Sequence, residues 1–224
     1  LLVRLGLPTL PDRQQLFDLY INKLSHDGLS DTAALARMTA GLSPADIANI
    51  VNKAASSAAE AGAQTVSYEN FLRAIETQQL GGEVSAVKGL LSESTRERLA
   101  YHEAGHALVG HWLQLGAVER VTIEPRGQAL GVTYISRGTE DPLYAQAELS
   151  NRLAMMLGGR EAELLVKGSV SSGASDDLKR ASELAISMVG SLGFSKTFGL
   201  LSVAGVPKEL LGPDIQSAVL QEAR

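Results

Sequence analysis

The chain has 224 residues, 45% of them hydrophobic and 20% charged, with a net charge of -5. Those values describe an ordinary globular chain with room for two small domains, and the lack of a basic block or many aromatics argues against a nucleic-acid surface. The absence of cysteine excludes disulfides and thiolate metal ligands, and no apolar run approaches the ~18 residues of a membrane span.

The chain opens at Leu1-Leu2-Val3-Arg4 inside what reads as a strand, without a signal-peptide layout, so it is expected to be part of a longer protein. Pro11 and Asp12 begin a helix in which Leu16, Phe17, Tyr20, Ile21 and Leu24 recur at helical spacing, and His26-Asp27-Gly28 closes it. A short helix over Asp31 to Ala40 follows. Ser43 at N-cap, Pro44 at N1 and Asp46 in the first turn start a third helix reaching about Ala61, and Ser67 caps a fourth through Phe71, Leu72 and Ile75. Gly81-Gly82 breaks the pattern. The spacing therefore predicts one domain over 1–82 and another over 83–224.

The second domain opens on a helix with Ser94 or Thr95 as N-cap and Glu97 in its first turn. Leu99, Ala100, Ala104, Ala107, Leu108, Trp112 and Leu113 form a predicted apolar stripe along it. Two β-branched runs, Val118 to Ile123 and Leu130 to Ile135, read as strands joined by Glu124-Pro125-Arg126-Gly127-Gln128. Asp141-Pro142 is predicted to cap a helix to Leu157. Gly158-Gly159 separates that helix from a short helical piece over Arg160 to Val166. After the loop from Gly168 to Ser175, a helix runs from about Asp176 to Leu192, stopped by Gly193. The fold class expected is mainly α with a small β-sheet.

The chemistry concentrates at His102-Glu103-Ala104-Gly105-His106. Residues four apart on a helix lie on one face about 6 Å apart, so two imidazoles can converge on one cation, and zinc suits that pair. Both histidines lie in or beside the apolar stripe and are expected to face inward. Glu103 is displaced from their face but can reach a water on the metal, which is the general-base position of a metalloprotease. Gly105 weakens the helix by about 1 kcal/mol relative to alanine and leaves room for a neighbouring element.

Three protein ligands and one open position make a zinc site catalytic. His111 is rejected as the third: the pattern H-E-x-x-H-x-x-G-x-x-H needs glycine and histidine where Val109 and Trp112 stand, and His111 points away from the ligand face. Asp176 and Asp177, at a helix start, are acidic candidates, although carboxylates there commonly cap or offset the helix dipole. Glu161 and Glu163 are further candidates, as ligands, as partners of a ligand, or as solvated charges.

The motif, with Glu124-Pro125-Arg126-Gly127, Ala129-Leu130-Gly131-Val132-Thr133, Gly158-Gly159-Arg160 with Ala162-Glu163, Ser172-Gly173-Ala174-Ser175-Asp176-Asp177-Leu178, and Gly193-Phe194-Ser195, resembles in order and spacing the peptidase domain of the FtsH family of membrane-anchored, ATP-dependent zinc metalloproteases. Leu7-Pro8 and the stretch from Ser43 to Asn52 resemble that family's AAA lid. The resemblance implies a four-helix AAA lid subdomain over 1–82 and a helical zinc-peptidase domain over 83–224, lacking its last helices. It implies zinc held by His102, His106 and Asp177 with Glu103 as base; Asp176 stands where the family usually has asparagine, and Glu163 matches a recurring glutamate that would support a ligand. It further implies that Ala45 and Asp46 approach a nucleotide, with ATP hydrolysed by parts preceding Leu1. Substrates would be unfolded or membrane proteins, taken as an extended chain along a strand near Val121 or Val132. The whole protein would be a homo- or hetero-hexamer, anchored in a bacterial inner membrane facing the cytoplasm, or in a mitochondrial or chloroplast membrane, and active in protein quality control. Two rivals stand beside this: an FtsH-like unfoldase or assembly factor without proteolysis, and a zinc hydrolase of another substrate class.

Overall fold

The computed structural model describes residues 6–28, 31–82, 84–127, 129–137, 140–141 and 143–224, and of Lys208 the backbone. The expected strand at Leu1 to Arg4, and Gln128 and Pro142 of the expected turn and cap, lie outside the described residues. The fold is mostly helical with one two-stranded sheet. The described residues form two compact units, one within 1–96 and 116–140, the other within 97–115 and 141–224.

The first unit holds four helices: α1 (Leu10–Ile21), α2 (Thr32–Met38), α3 (Pro44–Glu60) and α4 (Tyr68–Leu80). Their starts are written in the sequence. Ser43 and Asp46 exchange hydrogen bonds in a capping box ahead of Pro44, Ser67 and Asn70 do the same for α4, and Thr9 and Asp12 for α1. These boxes satisfy amide donors that the first helical turn leaves without partners. Phe17, Leu35, Ile47, Ile50, Phe71 and Ile75 meet in a core from which water is excluded, each contributing roughly 1.5–3 kcal/mol of transfer free energy.

Strands β1 (Ala117–Thr122) and β2 (Val132–Ser136) pair antiparallel, Ala117 opposite Ser136 and Thr122 opposite Val132, and group with these helices. The register shifts between Val118 and Arg120. A regular strand sends neighbouring side chains to opposite faces; the bulge lets Glu119 and Arg120 both serve the helices. Glu119 takes Arg37 of α2 at 2.5 Å, while Arg120 pairs with Glu69 and Glu76 of α4. Glu76, fully buried, also accepts from Arg126 at 2.8 Å, and Arg126 donates to Thr77 at 3.1 Å. Two guanidinium groups on one carboxylate satisfy a charge that could not be buried alone.

The second unit is built on α5 (Glu93–Trp112, from Glu97 onward), α6 (Gln146–Lys167), α7 (Ser175–Gly190) and α8 (Pro213–Ala223). Four expectations need correction. Ser92, rather than Ser94 or Thr95, caps α5: its hydroxyl accepts from the Thr95 amide at 3.1 Å and its carbonyl from the Arg96 amide at 3.0 Å. Gly158-Gly159 does not divide two helices, because α6 runs through it. Asp141 does not cap that helix, which begins at Gln146; the Asp141 carboxylate instead accepts from the Leu143 amide at 2.9 Å in a local turn. The buried face of α5 is Leu99, His102, Glu103, Gly105, His106 and Gly110, whereas Trp112 is 83% exposed and Leu108 66%. The motif itself, with Leu99 of the apolar stripe, faces the interior.

Among the described residues no helix is long and apolar enough to cross a membrane. Val189 of α7, Val203 and Val219 of α8 form a small second cluster with Phe198, Leu211 and Ile215. Beside it, Glu222 of α8 closes the loop after α7, accepting from the Ser195 hydroxyl at 2.7 Å, the Lys196 amide at 2.6 Å and the Thr197 amide at 3.4 Å. Those donors, the Ser195 hydroxyl foremost, hold its carboxyl at about 2, below the ordinary 4.5. A carboxylate depressed by folding stabilises the native state above its unfolded value, and that contribution disappears as pH falls through the folded one. Thermal unfolding of Glu222→Gln beside the unaltered protein should therefore show a gap at about pH 6 that narrows below about 4.5 and closes near about 2. A gap of constant size across that range would show that the charge is not its source.

Candidate metal centre

Helices α5 and α6 meet at glycines. A Cβ added at Gly105 would overlap the Gly158 carbonyl and stand 2.7 Å from the Ala162 Cβ, and one at Gly158 would lie 2.9 Å from the Gly105 carbonyl oxygen. At the next residue of α6, a Cβ on Gly159 would lie 2.5 Å from His106 Nε2 and 2.6 Å from His102 Nε2. The missing side chains let the backbones touch, and the two imidazoles occupy the space a third would have taken.

His102 and His106, one turn apart on α5, place their Nε2 atoms 3.0 Å from each other. Asp177, in the first turn of α7, puts Oδ2 3.1 Å from His102 Nε2 and 3.3 Å from His106 Nε2. The three donor atoms lie within 4.8 Å of one another. On the far side of each ring, His102 Nδ1 meets Glu163 Oε1 at 2.8 Å and His106 Nδ1 meets the Met155 carbonyl at 2.8 Å. A carbonyl can only accept, so His106 Nδ1 carries a hydrogen, and the Glu163 carboxylate selects the same tautomer in His102. In the neutral rings both Nε2 lone pairs then point at one place, beside a carboxylate. Such a constellation repels itself unless a positive charge sits between its members.

The electrostatics agree. Burial opposes a charge on His102, but hydrogen bonds to Asp177 and Glu163 lift its pKa above the ordinary value; burial likewise opposes charge on His106, and Asp177 and the Met155 carbonyl outweigh it. Desolvation acts to raise Asp177, yet hydrogen bonds to both histidines hold it well below the usual carboxylate range. Two nitrogens and one oxygen, without thiolate, fit zinc with room for further ligands.

Glu103 is buried on α5 next to His102. Glu163 is 1% exposed and joined to His102, so of the three readings open for it the structure favours a partner of a ligand. Asp176 pairs with Arg180 at 2.8 Å on the exposed side of α7 and does not join the cluster. Glu161 is exposed and pairs with Arg160 at 2.5 Å, and His111 is exposed. Ala45 is exposed in the first turn of α3, in the other unit, where Asp46 is engaged by Ser43 and by Gln78 at 2.9 Å. Sequence reasoning missed Arg98, whose guanidinium lies 3.0 Å from Glu163. Its position four residues before His102, on the same helix face, was the available signal.

A helical histidine pair with an adjoining glutamate, completed by one carboxylate from a second helix, defines the class of metallohydrolases built on H-E-x-x-H. Residues 89–218 match Peptidase family M41 and residues 30–73 match the AAA+ lid domain. The first match covers more than half of the sequence, and the chain belongs to peptidase family M41. Among curated relatives, an ATP-dependent zinc metalloprotease FtsH of Thermobaculum terrenum is 42% identical over 204 residues, covering 90% of this chain and 31% of that protein. The protein of the same name from Haemophilus influenzae is 38% identical, covering 88% and 31%, and an ATP-dependent zinc metalloprotease FtsH 2 of Sphaerobacter thermophilus is 40% identical, covering 84% and 29%. The chain thus spans about a third of the length of these relatives.

The glycine contact supplies a test. Alanine is a better helix former than glycine by about 1 kcal/mol, so Gly159→Ala should keep its helix content by circular dichroism while its Cβ drives the imidazoles apart and abolishes stoichiometric zinc in metal analysis. Full zinc binding with unaltered affinity in that variant would show that the site does not depend on this contact.

Proposed function

We propose that this chain is the lid and peptidase portion of an ATP-dependent zinc endopeptidase. The observation that carries the reading is the convergence of His102 Nε2, His106 Nε2 and an Asp177 carboxylate oxygen on one point, with the outer nitrogens of both rings already engaged. In this reading His102, His106 and Asp177 hold the metal, and Glu103 is the general base. Zinc, when bound, supplies a Lewis acid that acidifies water and polarises the scissile carbonyl. Glu103, fixed beside His102 by the helix, takes the proton of the attacking water as its oxygen bonds to the carbonyl carbon. It returns that proton to the amide nitrogen as the C–N bond breaks. Glu163 and the Met155 carbonyl keep both imidazoles turned inward throughout.

The domain reading of 1–82 as lid and 83–224 as peptidase accompanies this proposal, supported by the two family matches. The first turn of α3, with Ala45 and Asp46, is the lid's contribution to a nucleotide site whose remaining parts belong to the whole protein. An extended substrate, from an unfolded or membrane protein, would add to an outer edge of the β1–β2 pair near Val121 or Val132. A homo- or hetero-hexameric ring anchored in a membrane would deliver it, for quality control.

The test uses the full-length protein with ATP and casein. Glu103→Gln should retain stoichiometric zinc and lose casein hydrolysis by roughly 100-fold or more. Asp177→Ala should lose the metal, whereas Asp176→Ala should keep it. Casein cleavage by Glu103→Gln at the parental rate would remove the base assignment, and stoichiometric zinc without any casein cleavage by the unaltered protein would favour the silent unfoldase or a hydrolase of another substrate class.

A further inference from the structure

We propose that Arg98 is a positioning residue of the metal centre, joining through one guanidinium the helix of both histidines, the carboxylate that orients His102, and the loop that delivers Asp177. The inference rests on the reading of His102, His106 and Asp177 as a zinc site.

Arg98 stands one turn before His102 on α5. Its Nη1 donates to Glu163 Oε2 at 3.0 Å and to the Ser169 carbonyl at 2.7 Å, and Nη2 donates to the Ser169 hydroxyl at 3.2 Å. The other oxygen of Glu163 serves the site: Oε1 takes His102 Nδ1 at 2.8 Å and the Ser171 hydroxyl at 3.1 Å. Ser171 in turn accepts from the Gly173 amide at 3.2 Å, in the single turn Ser172–Ala174 that runs directly into α7. Asp177 follows three residues after that turn. The segment from Ser169 to Ser171 is therefore pinned twice, by Arg98 directly and by Glu163 through Ser171.

The chemistry explains why an arginine stands there. Metal binding requires His102 to be neutral, so the histidine cannot then supply the charge that a buried carboxylate needs. Arg98 supplies it permanently, because a guanidinium does not lose its proton in a protein, and its planar fork sets Nη1 on Glu163 and the Ser169 carbonyl while Nη2 takes the Ser169 hydroxyl. Lysine would offer the charge without the fork. A second cation between the same helices is the natural comparison: Lys167 of α6 pairs with Glu97 of α5 and lies 5.5 Å over the Tyr101 ring.

The experiment measures zinc affinity of the full-length protein by competition with a chromogenic chelator, alongside the visible spectrum of the cobalt-substituted form. Arg98→Met should bind zinc roughly 10- to 100-fold more weakly and shift the cobalt bands, Arg98→Lys should fall between it and the parent, and Lys167→Met should match the parent. Because Arg98 acts partly through Glu163 and partly on Ser169 directly, the double variant Arg98→Met with Glu163→Gln should be weaker than Glu163→Gln alone but lose less than the product of the two single losses. Parental zinc affinity in either Arg98 variant, or losses that multiply in the double variant, would overturn the proposal. Unaltered protein that binds no zinc at all would instead overturn the reading of the site on which it rests.

Discussion

The contact between α5 and α6 at Gly105, Gly158 and Gly159 is the constraint on which the candidate site depends. Helices with ordinary side chains at their contact pack with axes 8–10 Å apart. Here the carbonyl of one backbone lies where a Cβ of the other would be. Only at that separation can a carboxylate from α6 reach the outer nitrogen of His102, and a carbonyl of the same helix reach that of His106. Moving the helices apart by the width of a methyl group would break both hydrogen bonds and free both rings to turn. The site is thus specified by absent side chains as much as by present ones.

Among the described residues, the fully buried carboxylates Glu76 and Glu163 have opposite meanings. Glu76 shares its oxygens between Arg120 and Arg126, whose other bonds run to Glu69 and Thr77 within the same unit. Its consequence is structural. Glu163 divides its oxygens between Arg98 and His102, and His102 has a second ring nitrogen that points onward to His106 and Asp177. Charge held at one end of that chain is felt at the other. A buried ion pair alone says little about function; a buried ion pair whose member is one half of a bifunctional ring says considerably more.

The helices of the first unit were legible because their signals are local: a capping serine, a proline at the first position, an acidic or amide residue three places on, and an apolar repeat. The histidine pair and Glu103 were legible for the same reason, since helix geometry alone puts them on adjoining faces. Asp177 was not separable from Asp176 by such reasoning. Both stand in a first helical turn, and what distinguishes them is 100° of rotation about α7 that only the packed structure fixes. Gly158-Gly159 was misread for an instructive reason. Glycine weakens a helix locally, but a close tertiary contact can require it, and that requirement is invisible in one stretch of sequence. Trp112 and Leu108 misled in the opposite direction, being apolar yet exposed, because the buried face of α5 is spent on glycines and on the motif.

The hairpin carries the dependence on packing to the scale of whole elements. Its residues fall within the span that matches Peptidase family M41, yet β1 and β2 group with the helices that include the AAA+ lid. The reason lies in charge. The bulge at Glu119 directs two successive residues to α2 and α4, and Arg126 follows them into the interior. Withdrawing the hairpin would leave Glu76 beside a core of Phe71 and Ile75 without either cation, and losing the partner of a buried charge costs about 3–5 kcal/mol. That carboxylate joins helices of the proposed lid to a hairpin of the proposed peptidase span within one compact unit.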